Sequence, residues 1–296
     1  MSKPIERLRS LLFAVDHDAV GPPLGQPLQE IRPHERGADG VVIDCEDATP
    51  PNAKGEARRN AREIAPRIAG RGALVFVRVN AVSSAWFEDD LRDGLCDALT
   101  GIVVPKLERL DQLAAVEAGL EAAGLPRLAV LAGIETALGV EDARRLLTHP
   151  RVAAAYFGAE DFIADMGGVR TVAGQEVLYA RSRVALAGRL AGIPTLDQVV
   201  VDFRNEAAFR REVGEARAMG YRGKLCIHPG QVALANAGFV PSAEEVEHAR
   251  RLLAAYAKAQ AEGIAAIDFE GQMVDEPLAS RARQTLAAAE AGEGGS

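Results

Sequence analysis

Short apolar runs, rich in β-branched residues, recur along the chain, and each is followed by polar residues and then by a longer amphipathic stretch. The runs are apolar throughout instead of alternating, which is typical of strands covered on both faces. Eight strands are predicted in this way: Leu11–Val15, Gly40–Asp44, Leu74–Arg78, Gly101–Val104, Leu128–Ile134, Val152–Phe157, Thr195–Val199 and Lys224–Ile227. Helices with a 3.6-residue period are predicted at Ala53–Ile68, Arg109–Ala123, Gly139–Leu147, Glu176–Ala191 and Glu206–Met219.

Eight repeats of strand and helix, joined by right-handed crossovers, predict an α/β fold that closes into a (β/α)8 TIM barrel. An open, doubly wound sheet is the alternative, and it is weakened because no G-x-G-x-x-G sequence follows the first strand. Residues 16–36 contain four prolines and are predicted to form a loop. A helix at Ser242–Glu262 is followed by the turn-like sequence FEGQMVDEP and by a second helix. We therefore predict a barrel over residues 1–267 and a C-terminal helical tail or lid over residues 268–296.

Composition and charge narrow the choice of partners. The 296 residues include 48% hydrophobic residues and carry a formal net charge of −8. This balance supports a large core and argues against binding to nucleic acid or to an anionic membrane surface. No apolar run is long enough for a membrane helix or a secretory signal. The three cysteines are odd in number and far apart, and they give neither a disulfide framework nor a metal spacing such as C-x-x-C. A reducing, cytoplasmic location is expected.

Charged residues follow several predicted strands, at the end of the barrel where such enzymes carry their chemistry. Glu135 and Asp161 follow neighbouring strands, and two carboxylates with added waters are a typical Mg²⁺ ligand set. Arg78 could bind a carboxylate through two parallel hydrogen bonds. Taken singly, Asp161 or Asp47 could equally be a helix cap, and Arg78 a structural ion pair. Together these residues favour a site for a 2-oxo acid, where a metal stabilises a developing enolate or alkoxide.

Lys106 follows the fourth predicted strand and is one of only five lysines in the chain. A buried lysine can lose its proton and form a Schiff base with a carbonyl substrate. The acidic surroundings favour the other interpretation, in which Lys106 is an ion-pair partner for the carboxylates at the strand ends.

The motifs of this chain resemble those of the citrate lyase β-subunit-like branch of the HpcH/HpaI aldolase superfamily, which includes malyl-CoA, methylmalyl-CoA and citramalyl-CoA lyases. The matching stretches cover nearly the whole chain in the family's order. They are RSLLF (9–13), GADGVVIDCEDATPPNAK (37–54), VFVRVN (75–80), WFEDDL (86–91), VVPKLE (103–108), GIETALGV (133–140), YFGAEDFIADMG (156–167), LYARSRV (178–184), GKLCIHPGQV (223–232) and FEGQMVDEP (269–277).

The resemblance implies a barrel of the phosphoenolpyruvate/pyruvate type, assembled into homotrimers or hexamers in which the C-terminal segment reaches a neighbouring subunit. It implies Mg²⁺ as cofactor, with Glu135 and Asp161 as its ligands, and Arg78 as the group that binds the oxo acid. Glu46 and Asp47 would surround the metal-bound waters, and Asp275 would be the acid or base supplied by the adjacent subunit. The residues expected to contact the substrate or CoA are Arg9, Asp44, Lys54, Arg78, Lys106 and Pro229.

One departure from the family pattern follows the first strand. The family continues there with a Pro-Gly turn and a helix, whereas this chain has Asp16 and Asp18 and then the proline-rich loop. Extra negative charge beside the expected CoA path weakens the case for CoA.

The leading hypothesis is a Mg²⁺-dependent lyase that cleaves or forms a 3-hydroxyacyl-CoA, such as malyl-CoA, citramalyl-CoA or a citryl thioester, giving an acyl-CoA and a 2-oxo acid. The alternatives are a CoA-independent class II aldolase acting on 4-hydroxy-2-oxo acids, a malyl-CoA-type thioesterase, and a non-catalytic scaffold or binding subunit.

Overall fold

Eight parallel strands form a closed barrel in the computed structural model, which describes residues 5–14 and 37–293. The predicted loop at 16–36 lies outside the described residues. The strands follow chain order around the barrel, and each pairs with the next until β8 pairs with β1. They are β1 (Ser10–Ala14), β2 (Gly40–Asp44), β3 (Leu74–Arg78), β4 (Gly101–Val104), β5 (Ala129–Ile134), β6 (Val152–Phe157), β7 (Thr195–Asp197) and β8 (Gly223–Cys226). The predicted TIM barrel is confirmed, and the open sheet is excluded.

The barrel interior is filled by apolar side chains from the strands. The buried cluster comprises Leu8, Leu11, Val42, Leu74, Phe76, Val103, Leu131, Ala154, Tyr156, Leu196 and Leu225. Each large apolar side chain buried in this way stabilises the fold by about 1.5–3 kcal/mol. Tyr156 is the polar member of this set, and its hydroxyl reaches the end of the barrel where the strands terminate.

Helices follow the strands over ranges close to the predicted ones. They are α1 (Lys54–Ala69), α2 (Phe87–Asp93), α3 (Leu110–Ala122), α4 (Ala137–Leu147), α5 (Ala159–Met166), α6 (Gln175–Ala191), α7 (Glu206–Met219) and α8 (Pro229–Gly238). Gly192 and Gly220 end two of them in the left-handed conformation, as glycine allows. The three short helices α2, α5 and α8 were not predicted, because seven to ten residues give little periodicity. None of the helices in the described ranges combines the length and apolarity needed to cross a bilayer.

The chain divides into two compact units, residues 1–236 and residues 237–296. The second unit contains α9 (Ala243–Ala261), an antiparallel hairpin of β9 (Ile267–Phe269) and β10 (Gln272–Val274), and α10 (Glu276–Glu293). Its core includes Leu252 and Tyr256 from α9 and Ala279 from α10. The boundary predicted after residue 267 therefore falls inside a hairpin strand, since α9 shares its core with the tail.

Candidate active site at the C-terminal ends of the strands

The last residues of β2 and β3, Asp44 and Arg78, lie in register and form a two-point ion pair. The guanidinium of Arg78 donates Nε to Oδ1 at 2.8 Å and Nη2 to Oδ2 at 2.6 Å. Burial acts to raise the pKa of the Asp44 carboxyl, but the charge and hydrogen bonds of Arg78 outweigh it and lower that pKa. The pair thus fixes a permanently charged guanidinium at the barrel end, with Nη1 turned towards the next acidic residue.

Glu46 connects this pair to a second cation. Its Oε2 lies 2.9 Å from Nη1 of Arg78, and its Oε1 lies 2.5 Å from Nζ of Lys106. Burial raises the pKa of Glu46 even though both cations oppose that shift. The carboxylate is therefore held tightly between an arginine and a lysine and is almost inaccessible to solvent.

Lys106 occupies the centre of the acidic cluster. Its ammonium also lies 3.0 Å from Oδ2 of Asp47 and 3.4 Å from Oδ1 of Asp161. These carboxylates outweigh the effect of burial and raise the pKa of Lys106. A protonated, ion-paired amine agrees with the ion-pair interpretation and is a poor Schiff-base nucleophile. The backbone of Lys106 has φ +50°, a left-handed value that is uncommon outside glycine and is tolerated mostly at functional sites.

Glu135 is the most deeply buried carboxylate of the site, with 2% of its surface exposed. Its Oε1 accepts a hydrogen bond from the hydroxyl of Tyr156 at 2.5 Å, and its Oε2 accepts one from the backbone N–H of Lys106 at 2.9 Å. Burial raises the pKa of Glu135 to about 7, against the lowering effects of Arg78 and Tyr156. The negative charge of Asp161 raises it further.

Two glycines make room for this arrangement. A Cβ atom on Gly158 would lie 2.6 Å from Cγ of Glu135, and one on Gly133 would lie 2.6 Å from the hydroxyl of Tyr156. Both distances are too short for any real Cβ, so the glycines in GIETALGV and YFGAED are required by the Glu135–Tyr156 contact.

The donor set fits a hard divalent cation. Asp44, Glu46, Asp47, Glu135 and Asp161 outnumber the two cations, Arg78 and Lys106, and the raised pKa of Glu135 is a direct consequence of burial among like charges. Within the described residues, no three His, Cys, Asp or Glu side chains are arranged as a complete ligand cage. Mg²⁺ usually takes one or two carboxylates and completes its shell with water or substrate, so Glu135 and Asp161 meet its needs.

Three residues predicted to contact substrate or CoA are engaged elsewhere. Arg9 precedes β1 and makes a two-point ion pair with Asp39 before β2, which places it at the N-terminal ends of the strands, opposite the end that carries the site. Lys54 is buried, and Nζ donates to the carbonyls of Cys45 and Glu46 and to Oδ1 of Asn80. The geometry does not support CoA binding by Arg9 or Lys54. Both carboxylate oxygens of Asp44 accept hydrogen bonds from Arg78, so Asp44 positions the arginine, and contact between Asp44 and a ligand stays a prediction.

The remaining predicted residues are distributed between the two units. Asp47 and Asp161 are the exposed members of the cluster around Lys106, with side-chain exposures of 61% and 36%. Pro229 begins α8 directly after β8, on the same side of the barrel as the cluster. Asp275 belongs to the second unit, where its backbone carbonyl accepts a hydrogen bond from the N–H of Ala279 at the start of α10. Its role as an acid or base stays a prediction.

Sequence reasoning missed two contributors to the site. Tyr156 stands two residues from Ala154, another interior position of β6, and this alternation in the strand could have indicated an inward hydroxyl. Asn80 follows β3, and its amide bridges the carbonyl of Cys45 and the carboxylate of Asp90. That second contact depends on α2, a helix that the sequence did not predict.

Comparison with known proteins adds an independent line of evidence. The family model described as HpcH/HpaI aldolase/citrate lyase matches residues 29–229. The chain is 48% identical over 290 residues to the citrate lyase subunit beta-like protein of Deinococcus radiodurans, covering 97% of this chain and 99% of the relative. It is 33% identical to the mitochondrial citramalyl-CoA lyase of Mus musculus, covering 84% of this chain and 78% of the relative. The crystal structure of protein CitE from Mycobacterium tuberculosis, in complex with magnesium, acetoacetate and coenzyme A, is 30% identical and superposes with a TM-score of 0.77, covering 95% of this chain and 97% of that one.

Proposed function

Because this chain belongs to the HpcH/HpaI aldolase/citrate lyase family and is an enzyme of the lyase class, we propose that it is a Mg²⁺-dependent carbon–carbon lyase acting on a 3-hydroxyacyl-CoA. Cleavage of such a thioester gives an acyl-CoA and a 2-oxo acid, and malyl-CoA, citramalyl-CoA and a citryl thioester are the candidate substrates. The observation that carries the proposal is the buried carboxylate of Glu135, held by two hydrogen bonds beside Asp161 and Lys106. The magnesium, acetoacetate and coenzyme A bound to the related CitE support the same chemistry.

In this proposal Glu135 and Asp161 would hold Mg²⁺, which would supply positive charge to the oxygens of the hydroxy acid and of the 2-oxo acid. Arg78 binds the carboxylate or the carbonyl oxygen of the same fragment with the N–H groups that Asp44 and Glu46 leave free. Because Asp44 fixes the guanidinium plane, no side-chain reorganisation is needed as charge develops on the oxygen.

In cleavage the hydroxyl gives its proton to solvent water as the carbonyl forms, and the C–C bonding pair passes to the α-carbon of the thioester. Asp275 is the proposed residue that protonates this carbon, and in condensation it removes the same proton. In a homotrimer or hexamer, Asp275 would come from the neighbouring subunit.

Arg9 is paired with Asp39, and Lys54 is buried on backbone carbonyls and Asn80. Their engagement favours one alternative strongly enough to test, an aldolase that forms 4-hydroxy-2-oxo acids without CoA. Such an enzyme would use the same metal and the same arginine, with pyruvate as the source of the enolate. It differs from the leading proposal in needing no thioester.

Both proposals are tested with purified protein, Mg²⁺ and a matrix of substrates. Acetyl-CoA or propionyl-CoA is paired with glyoxylate, pyruvate or oxaloacetate, pyruvate is paired with short aldehydes, and products are identified by mass spectrometry. A thioester adduct that disappears with a chelator and in Glu135→Gln supports the CoA lyase. An adduct formed only from pyruvate and an aldehyde supports the aldolase. Free CoA released from a malyl-type adduct indicates a thioesterase. If no product forms with any substrate pair, the proposal is rejected.

A further inference from the structure

Both ends of Lys106 contact the proposed metal ligands. Its backbone N–H donates to Oε2 of Glu135 at 2.9 Å, and its ammonium lies 3.4 Å from Oδ1 of Asp161. We propose that the ammonium of Lys106 is the resident counter-cation of the acidic cluster and that Mg²⁺ displaces it on binding. This inference rests on the proposed function, since it presumes that Glu135 and Asp161 bind the metal.

The ammonium and a divalent cation compete for one carboxylate, that of Asp161. Nζ of Lys106 lies 2.5 Å from Glu46, 3.0 Å from Asp47 and 3.4 Å from Asp161. Mg²⁺ binds oxygen at about 2.0–2.1 Å and keeps a shell of waters around it. An ammonium left in contact with Asp161 would lie against that shell and repel the double charge at close range. The two cations therefore exclude each other at Asp161.

The backbone and the side chain of Lys106 have separate tasks. The left-handed backbone aims the N–H at Glu135, and this donor stays in place whatever the side chain does. The side chain has a flexible four-carbon stem and is 29% exposed. It lies beside Asp47 and Asp161, the exposed members of the cluster. It can leave the carboxylates for the open end of the barrel without disturbing the hydrogen bond to Glu135.

Lys224 illustrates how a purely structural lysine differs. Its side chain is fully buried, and Nζ is held by Asp197 at 2.6 Å and by Glu212 at 3.1 Å, above the ring of Phe209. No opening is available to that ammonium. Lys106 has the opposite combination, because it is partly exposed and one of its carboxylate partners, Asp161, is a proposed metal ligand.

The first test measures Mg²⁺ binding by calorimetry in wild type, Lys106→Met and Lys106→Arg. Both variants keep a long side chain and the backbone N–H of residue 106. Lys106→Met removes the positive charge, and Lys106→Arg keeps it. Removing one unit charge close to the metal should lower the Kd for Mg²⁺ about tenfold in Lys106→Met, and Lys106→Arg should bind no more tightly than wild type. Equal or weaker binding by Lys106→Met overturns the inference. If the wild type itself does not bind Mg²⁺, the proposed function is contradicted instead.

The second test follows the ammonium directly by lysine acetylation and mass spectrometry, with and without saturating Mg²⁺. The chain provides its own references, because Lys258 is exposed while Lys54 and Lys224 are buried. Release of the ammonium should raise the labelling rate of Lys106 several-fold, with the rates of the reference lysines unchanged. An unchanged or slower rate at Lys106, in protein that binds Mg²⁺ by calorimetry, overturns the displacement.

Discussion

The hydroxyl of Tyr156 in β6 donates a hydrogen bond to Oε1 of Glu135, the residue that follows β5, across 2.5 Å. Tyr156 lies opposite Gly133 in the strand pairing, and the missing side chain there admits the hydroxyl. The ring of Tyr156 packs edge-on against Phe13 inside the barrel. The hydrophobic core thus fixes the donor that orients the most buried carboxylate of the site.

We expect Tyr156→Phe to weaken both the fold and the metal site. Loss of the hydrogen bond to a buried carboxylate should lower the free energy of unfolding by about 1–3 kcal/mol. It should also raise the pKa of Glu135, because the bond from Tyr156 lowers it, so that protons compete better with Mg²⁺ near neutral pH. Urea titrations and calorimetric Mg²⁺ titrations at pH 6.5 and 8 measure the two effects.

Tyr221→Phe is the matched control. Its buried hydroxyl donates to the carbonyl of Arg181 at 2.7 Å, away from the carboxylate cluster. A similar loss of stability with unchanged Mg²⁺ affinity is expected. Equal Mg²⁺ affinities in the two variants would show that Tyr156 supports the barrel only.

Sequence reasoning predicted the barrel because apolar runs and amphipathic helices alternate at regular spacing. Strands β2, β3, β4 and β6 match their predicted bounds, since each is apolar throughout and stops at a polar residue or a turn. The second compact unit begins before the predicted boundary at 267, because the α9–α10 core joins Tyr256 to residues beyond 273, which no local pattern encodes.

The sequence predicted which charged residues lie at the site, but not which groups each of them contacts. Arg78, Glu135 and Asp161 could be located from their positions after strands, because the barrel geometry gathers strand ends. The contacts of Arg9 and Lys54 could not be predicted, since a motif does not show whether a basic residue binds a ligand or a neighbouring group of the protein. The predicted strands do place Arg9 before one strand and Arg78 at the end of another, but the motif resemblance does not make that distinction.

Gly158→Ala should disable the site through a single methyl group. Its Cβ would lie 2.6 Å from Cγ and 2.8 Å from Oε1 of Glu135, so the carboxylate must move. Binding constellations tolerate displacements of only about 0.5 Å, and we expect Mg²⁺ affinity and lyase activity to fall about tenfold or more. Gly214→Ala, in the open part of α7 where nothing lies within 4 Å, should instead stabilise the fold by about 0.5–1 kcal/mol and leave activity intact. Full Mg²⁺ affinity in Gly158→Ala would contradict the packing argument.

Arg78→Lys should lower kcat/KM for the lyase reaction about 100- to 1,000-fold, the usual effect of removing a preorganised donor to a developing oxyanion. A lysine cannot reproduce the two-point pair with Asp44, so the remaining charge is misdirected. Arg92→Lys is the control, because Arg92 pairs with Asp89 and Asp93 on the exposed surface and contributes nothing to the site. Steady-state kinetics with both variants test the role of Arg78, and near wild-type kcat/KM in the Arg78→Lys variant would remove Arg78 from the reaction.

The raised pKa of Glu135 predicts a pH-dependent stability that Mg²⁺ reverses. The folded carboxyl titrates near 7, above the ordinary value of 4.5, so the folded state binds its proton more tightly than the unfolded state does. The stability that Glu135 contributes is therefore complete below about pH 4.5 and is lost as the pH rises through 7. Without Mg²⁺, thermal unfolding should occur at a lower temperature at pH 8 than at pH 6.

Glu135→Gln should flatten this slope, because the amide cannot ionise, although it sacrifices one of the two hydrogen bonds that the carboxylate accepts. Mg²⁺ stabilises any folded state that binds it, so it should raise the unfolding temperature of the wild type, most strongly at pH 8 where Glu135 is ionised. Adding Mg²⁺ should leave the unfolding temperature of the Glu135→Gln variant unchanged. An equal Mg²⁺-induced rise of the unfolding temperature in the variant would mean that the metal binds elsewhere. An unaltered dependence of the unfolding temperature on pH would assign the titration to another carboxyl of the cluster. Glu46, whose pKa is also raised by burial, would then be the next residue to substitute.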